Sequence, residues 1–435
     1  MEPRSKKHKS SFVKRISRWF AKLSKVKKVA LITIAVLLVT TTGASAWYYN
    51  RLTDMEGIFS DVTWPGDEDD TDSGLTIDEA FKDKIINIAL LGFDSGKYGE
   101  KGRRTKEYDG VTYKYTGLVD TIMVAAINIE TGDIDIVSIP RDSYVGIYNR
   151  RGGKEKVNAG NYWGFFYGVP GIDHPVDAGI KSQVETISIA LGGVKIHYYA
   201  TVDMDAVIEI VDIMGGVYLD VPQRTYHRYG RVIAEPGYQW FSGRRFLDYV
   251  RSRQAAGGDY QRANKQQQVM LQVFDQFKKA NKLVNAPQVL TSVRDNVNTN
   301  LSLEQIMALA LFGTQKVNTS AIETHILQGS MEWGRIPGSQ KSNWYYLVDH
   351  KAQAQLVRDI WGIIITPTPA DVLLPSLEDP SDLSDYPSDS DEYYPEDPFD
   401  PTNGEDIPPP DPGNEGDNDD DPGEGNPEDW GSSEP

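Results

Sequence analysis

Apolar and polar positions divide the chain into an apolar span, a patterned middle and a polar end. Val29 to Tyr49 carries no charged residue, and Val29–Thr42 is strongly apolar. A helix of about 20 apolar residues crosses a bilayer core, so residues 29–49 are predicted to be a transmembrane anchor. Beyond it, apolar runs alternate with helical spacing from about residue 77 to residue 365. Ile85–Phe93, Thr121–Ile129 and Ile134–Ile139 read as buried strands, the last two joined by a turn at Thr131-Gly132. His197–Val202 and Val217–Val221 read as further strands, the second preceded by a Gly215-Gly216 turn. Helical spacing covers Gln183–Leu191, Ala206–Met214, Gly243–Val250, Tyr260–Ala280, Leu303–Thr314 and Ala352–Trp361. Ser302 and Gln305 form a capping-box pattern before the fifth of these. Strands interspersed with helices predict an α/β fold with a central sheet and helices on both faces.

Charge sharpens this division. Met1–Lys28 holds 11 Lys/Arg against one acidic residue, whereas Pro367–Pro435 holds 23 Asp/Glu and no Lys/Arg. The formal total is −18, so everything between carries only about −5. The acidity belongs to the end of the chain and does not point to a cationic partner for the folded part. Basic residues before the apolar span and Trp47, Tyr48 and Tyr49 after it place residues 1–28 in the cytoplasm and the bulk of the chain outside. Phe12, Ile16, Trp19, Phe20 and Leu23 recur at helical spacing among Lys and Arg, the pattern of a basic helix on anionic membrane lipids. Ala44-Ser45-Ala46 resembles a signal-peptidase site, but the long basic region favours a retained anchor. Residues 50–76 read as an extracytoplasmic spacer, acidic around Asp67–Asp72. Residues 366–435 are rich in Pro, Asp, Glu, Ser and Gly and read as a disordered tail.

Composition excludes several chemistries. The chain has no cysteine, so disulfides, thiolate metal sites and Cys nucleophiles are ruled out, and its six His are scattered. The remaining candidates are polar groups at the ends of buried strands, where α/β folds place ligands. Asp94 follows the Ile85–Phe93 strand, Asp120 precedes the next, and Arg141 and Asp142 follow the third. Lys156, Asn158 and Asn161 lie in the loop after that. A second cluster comprises Arg251, Arg253, Asp259, Arg262, Lys265 and Gln266, with Arg262 and Gln266 on one helix face. Arginine forks match phosphate oxygens, and paired carboxylates hold Mg²⁺, so the set suits a pyrophosphate substrate.

These residues carry a resemblance to the LytR–CpsA–Psr family, enzymes that attach glycopolymers to the bacterial cell wall. The motifs run in family order from Leu90–Asp94 and Asp120–Val124 through Ser138–Ser143 and Lys156–Ala159. Gly215–Val217, Val221-Pro222, Tyr249–Arg253, Gly258–Arg262 and Gln266-Gln267 follow. The resemblance covers the anchor and roughly Ile85 to Phe274, and implies a catalytic domain over residues 77–365. It implies transfer of a glycopolymer from a polyprenyl-pyrophosphate carrier to a peptidoglycan hydroxyl, with a phosphodiester formed. Asp94 and Asp120 then bind Mg²⁺. Arg141, Arg251, Arg253 and Arg262 hold the pyrophosphate, supported by Asn158 and Gln266. Asp94, Asp120, Arg141 and Arg262 are the expected catalytic set.

The chain departs from the family pattern in three places. Ser95 follows Asp94 where many members have Arg, Leu118-Val119 precede Asp120 without one, and Lys265 replaces an Arg before the glutamine pair. The basic loop holding Lys97, Lys101, Arg103, Arg104 and Lys106 is the expected substitute, through Arg103 or Arg104. Asp142 is a candidate general base by position only. Two other readings remain: a non-catalytic polyprenyl-pyrophosphate lipid-binding protein, and a lipid pyrophosphatase using water as acceptor. Nucleic acid is not an expected partner, because the basic stretch is short and juxtamembrane.

Overall fold

The computed structural model describes residues 44–62, 76–77, 83–93, 105–115, 117–150, 153–227, 230–252, 258–280, 297–339 and 341–375. Asp94, Arg253, the loop from Lys97 to Arg104, most of the expected anchor and most of the acidic tail lie outside these residues. Among the described residues no helix is long and apolar enough to cross a membrane.

Six strands form one mixed sheet: β1 (Ile85–Phe93), β2 (Val119–Asn128), β3 (Ile134–Ser138), β4 (Tyr198–Asp203), β5 (Val297–Thr299) and β6 (Glu323–Ile326). Their order is β5-β4-β1-β2-β3-β6. The β1–β4 and β3–β6 pairs are parallel, and the other neighbours are antiparallel. Seven principal helices accompany it: α1 (Gly160–Tyr167), α2 (Pro175–Ala190), α3 (Met204–Ile213), α4 (Gly243–Arg251), α5 (Gly258–Lys279), α6 (Leu303–Gln315) and α7 (His350–Trp361).

The near-continuous apolar runs of β1 and β2 have a simple cause. Successive side chains point to opposite faces, and both faces are covered. Ala89, Leu91 and Phe93 with Ile122, Val124 and Ala126 pack under Ile187 and Leu191, at the end of α2, and under Val357 and Trp361 of α7. Ile86 and Ile88 with Ala125 and Ile127 pack under Ala308 and Phe312 of α6. Asn87 is a buried polar residue within β1. Its amide donates to Lys195 O (2.8 Å), and its Oδ1 accepts from Trp361 Nε1 (2.7 Å). The expected capping box at Ser302 and Gln305 is present in both directions.

A separate apolar cluster joins α3, α4 and α5 to the hairpin Val217–Val221 and Gly237–Phe241, with Leu219 and Phe241 fully buried. α5 serves both clusters, because Gln267 reaches the sheet from its buried side. It donates to His325 O (2.7 Å) and Ser138 Oγ (2.8 Å).

Two expectations are corrected. The spacer expected from residue 50 is in part core. Met55, Ile58, Phe59 and Val62 are buried against the α6 face, and Arg51 pairs with Glu304. Four apolar residues on one short segment suffice to dock it. The tail expected from residue 366 also begins inside the fold. Asp371 pairs with Lys154 and His350, Leu374 exchanges backbone hydrogen bonds with Arg335, and Leu373 packs against the cluster around Tyr345. A chain ending at Ile365 is therefore expected to melt a few degrees below one ending at Pro375, corresponding to roughly 1–3 kcal/mol of lost packing and ion pairing. Thermal unfolding of the two truncations checks this, and equal midpoints would show that the docked residues contribute nothing.

Candidate active site

Strand direction gathers the candidate residues. β1, β3, β4 and β6 end at the edge of the sheet where β2 begins. Phe93 pairs with Val119 on one side and Asp203 on the other, and Ser138 pairs with Met123 and Ile326. Asp120 therefore lies within β2, one residue earlier than the sequence pattern places that strand, and beside the point where the chain leaves β1 for Asp94. This carboxyl edge is where open α/β sheets bind ligands.

Arg141 is aimed by the turn after β3. Ser143 folds back so that its N–H (2.9 Å) and Oγ (2.6 Å) both donate to Pro140 O. The guanidinium then reaches β2, with Nη1 donating to Asp120 Oδ1 at 2.7 Å. Nε lies 3.7 Å from Asp142 Oδ2, and Asp142 Oδ1 is 2.9 Å from Lys156 Nζ. Lys156 also sits over the Tyr345 ring, 5.5 Å from its centroid. Acid, base, acid and base alternate through Asp120, Arg141, Asp142 and Lys156, with side chains only 12–22% exposed. Both Asp142 oxygens face cations, which makes it a counter-ion that orders Arg141 and Lys156. That assignment displaces its candidacy as a general base.

Asn158 is part of a 3₁₀ turn and Asn161 lies on α1, where the sequence pattern shows only a loop. The helix has two glycines and five aromatics in eight residues, a composition with weak helical preference. Its glycines explain why it forms here. A Cβ at Gly164 would fall on the Ala178 carbonyl, and one at Gly160 would press on Gln183 and Thr186, so α1 lies almost backbone to backbone on α2. Fully buried Gln183 fastens the join, donating to Val157 O (3.0 Å) and accepting from Asn161 N (2.9 Å). Asn158 is held by its N–H to Arg141 O (3.2 Å). Its side-chain Oδ1 is buried and has no hydrogen-bond partner among the described residues. An orphaned acceptor of this kind costs about 1–3 kcal/mol.

The second cluster sits on the α4–α5 join. Arg251 closes α4, and Arg262 and Gln266 lie half-buried along α5. Arg253 and the side chain of Asp259 fall outside the described residues. Lys265 does not simply replace an arginine fork. Its ammonium donates to Ser252 O and to Ser252 Oγ (2.8 Å) and stands over the Tyr249 ring, so it clamps α4 to α5. Burial, with the Arg262 charge adding, pushes its pKa down to about 8. Lys106, one of the expected substitutes in the first loop, is likewise committed elsewhere, donating to Phe165 O and Phe166 O at the end of α1. Sequence reasoning gave Gln183 no role and named Gln267 only within the Gln266-Gln267 motif, without its contacts; each lies one turn from another buried helix residue, Thr186 and Ala263 respectively.

Basic and amide groups thus gather at the carboxyl edge of a mixed sheet covered on both faces. The profile of the LytR_cpsA_psr family matches residues 64–360, and the chain belongs to that family. Its relatives include the Bacillus mycoides protein named polyisoprenyl-teichoic acid–peptidoglycan teichoic acid transferase TagU. The two are 26% identical over 339 residues, covering 77% of this chain and 97% of the relative. The protein of the same name from Oceanobacillus iheyensis is 26% identical over 333 residues, covering 76% and 91%. Among solved structures, the protein gbs0355 from Streptococcus agalactiae shares the fold with a TM-score of 0.50 at 20% identity, covering 67% of this chain and 92% of that one.

Two outcomes follow from this geometry. Arg141→Ala leaves Asp120 and Asp142 without their shared cation. It is expected to weaken binding of geranyl pyrophosphate by roughly tenfold or more, the worth of one or two charge-assisted hydrogen bonds. Unchanged affinity in a fluorescence or calorimetric titration would remove Arg141 from the site. For Lys265, the unfolded chain binds more protons than the folded one between about pH 8 and pH 10.4, so this group's contribution to stability rises with pH across that window. The stability of the natural chain relative to Lys265→Met is expected to increase from pH 8 to pH 10, measured by denaturant unfolding. A flat difference would mean that Lys265 titrates as an exposed lysine.

Proposed function

We propose that the protein is a membrane-anchored phosphotransferase that moves a glycopolymer from a polyprenyl-pyrophosphate carrier to a hydroxyl of peptidoglycan. The observation that carries this reading is Arg141, held between two carboxylates at the carboxyl edge beside the unpartnered Asn158 Oδ1. The relatives named as teichoic acid transferases support the substrate class. In this reading residues 29–49 anchor the chain and the domain lies outside the cytoplasm, where its acceptor is.

The chemistry is an in-line displacement at the sugar-linked phosphorus. The acceptor hydroxyl oxygen bonds to that phosphorus, and the bond from it to the bridging oxygen breaks. Polyprenyl phosphate leaves with the electron pair, and the hydroxyl proton passes to the leaving phosphate or to solvent. Such transfers need positioned charge more than covalent chemistry. Arg141, Arg251, Arg253 and Arg262 neutralise the pyrophosphate oxygens, and Asn158 and Gln266 fix its orientation by donating from their amides. Asp94 and Asp120 are the residues that would hold Mg²⁺. The donor set fits, since Asp120 is a half-buried carboxylate and Asn158 Oδ1 is a second hard oxygen on the same edge. When bound, Mg²⁺ supplies charge neutralisation at the phosphate oxygens.

The test is incubation of the full chain in detergent with a short-chain polyprenyl-pyrophosphoryl sugar, peptidoglycan oligomers and Mg²⁺, with products identified by mass. Sugar joined to peptidoglycan through one phosphate is expected, abolished by EDTA and reduced about a hundredfold or more in Asp120→Ala. Sugar phosphate released to water would identify a lipid pyrophosphatase, and bound but intact lipid would identify a carrier-binding protein. Full activity in Asp120→Ala would sink the metal assignment alone.

A further inference from the structure

A different cluster occupies the other end of the sheet, at the amino ends of β3 and β6. Asp135 and Glu323 are direct partners in the parallel pairing, and His325 follows Glu323 by two residues. The pleat therefore puts all three side chains on one face. That face is the one Val137 shares with Val357 of α7. One ligand atom from each of the three lies within 4.8 Å of the other two. His325 Nε2 is 2.8 Å from Asp135 Oδ1 and 4.0 Å from Glu323 Oε2. Asp135 and His325 are half-buried, whereas Glu323 is exposed and leaves the cluster open to solvent. The strand carrying two of the three is itself fixed, because His325 O accepts from Gln267.

We propose that Asp135, Glu323 and His325 form a divalent-cation site of the zinc class, separate from the Mg²⁺ of the transfer reaction. Zinc takes imidazole nitrogen and carboxylate oxygen, and three such protein ligands with one position open to water fill its four-coordinate shell. Mg²⁺ prefers oxygen alone, so the imidazole discriminates between the two ions. The cation takes the place of the proton that now joins His325 to Asp135, and the His325 side chain becomes a ligand in its neutral form. Bound there, it ties edge strand β6 to β3 next to the point where Gln267 fastens α5.

The test uses the full chain in detergent, stripped of metal with EDTA, dialysed and held in excess Mg²⁺. Calorimetric titration with ZnCl₂ is expected to give one saturable site per chain, and Co²⁺ is expected to give the visible absorption of a four-coordinate nitrogen and oxygen site. His325→Ala and Asp135→Asn are expected to weaken Zn²⁺ binding by more than about tenfold, the loss already typical of removing a mere outer partner. Glu323→Gln, on an exposed side chain that does not touch the core, is expected to weaken it as well. No saturable Zn²⁺ binding by the natural chain, or the same isotherm in all three variants, would overturn the site. Either result leaves the transferase reading standing, because that reading is measured by product mass in Mg²⁺.

Discussion

Taking charge out of water is expensive, and the carboxyl edge of this sheet does it four times within one contact chain. Asp120, Arg141, Asp142 and Lys156 are tolerable there only because each has a neighbour of opposite sign. Most of the local architecture follows from that need. The tight turn after Pro140 brings Arg141 back across β2, and the Val157–Ala159 turn sets Lys156 opposite Asp142 and presses Asn158 against the Arg141 backbone. A pyrophosphate entering this edge would meet cations already oriented by their own counter-ions. Little rearrangement is then needed at the moment of reaction, which is the condition under which fixed charges lower a barrier most.

What could be read from the sequence follows the strength of local signals. β1 coincides with the apolar run Ile85–Phe93, and β2 lies within two residues of its expected bounds, because both strands are covered on two faces and so carry almost no polar residues. α6 was legible through its capping box and α5 through its length. β6 was not legible, since an edge strand of Glu, Thr, His and Ile is polar on the side that meets solvent. α1 was hidden for a different reason. Its glycines look like helix breakers until α2 is present to demand a close approach. The docked parts of the spacer and tail were hidden because their apolar runs are short, Ile58-Phe59 and Val372–Leu374, and lie next to acidic, Pro-rich stretches. In the site, the charged residues announced themselves through their types and spacing, but their pairings did not. The Arg141–Asp120 contact spans 21 residues and depends on the antiparallel register of β2 and β3.

The amides that hold this arrangement explain why the ions remain available for a ligand. Gln267 joins α5 to β3 and β6, Gln183 joins α2 to the turn bearing Asn158, Asn161 reaches Gly117 O just ahead of Asp120, and Asn87 joins β1 to α7. All four are buried. An amide offers a donor and an acceptor at fixed geometry and carries no net charge, so it does not compete with a pyrophosphate for Arg141 or with a cation for Asp120. Had carboxylates or ammonium groups done the joining, each would have added a buried charge to a fold that already balances four at one edge. A Gln267 or Gln183 replaced by Glu would therefore do more than lose a hydrogen bond. It would place an uncompensated charge in the interior, and the stability of the fold would be expected to fall.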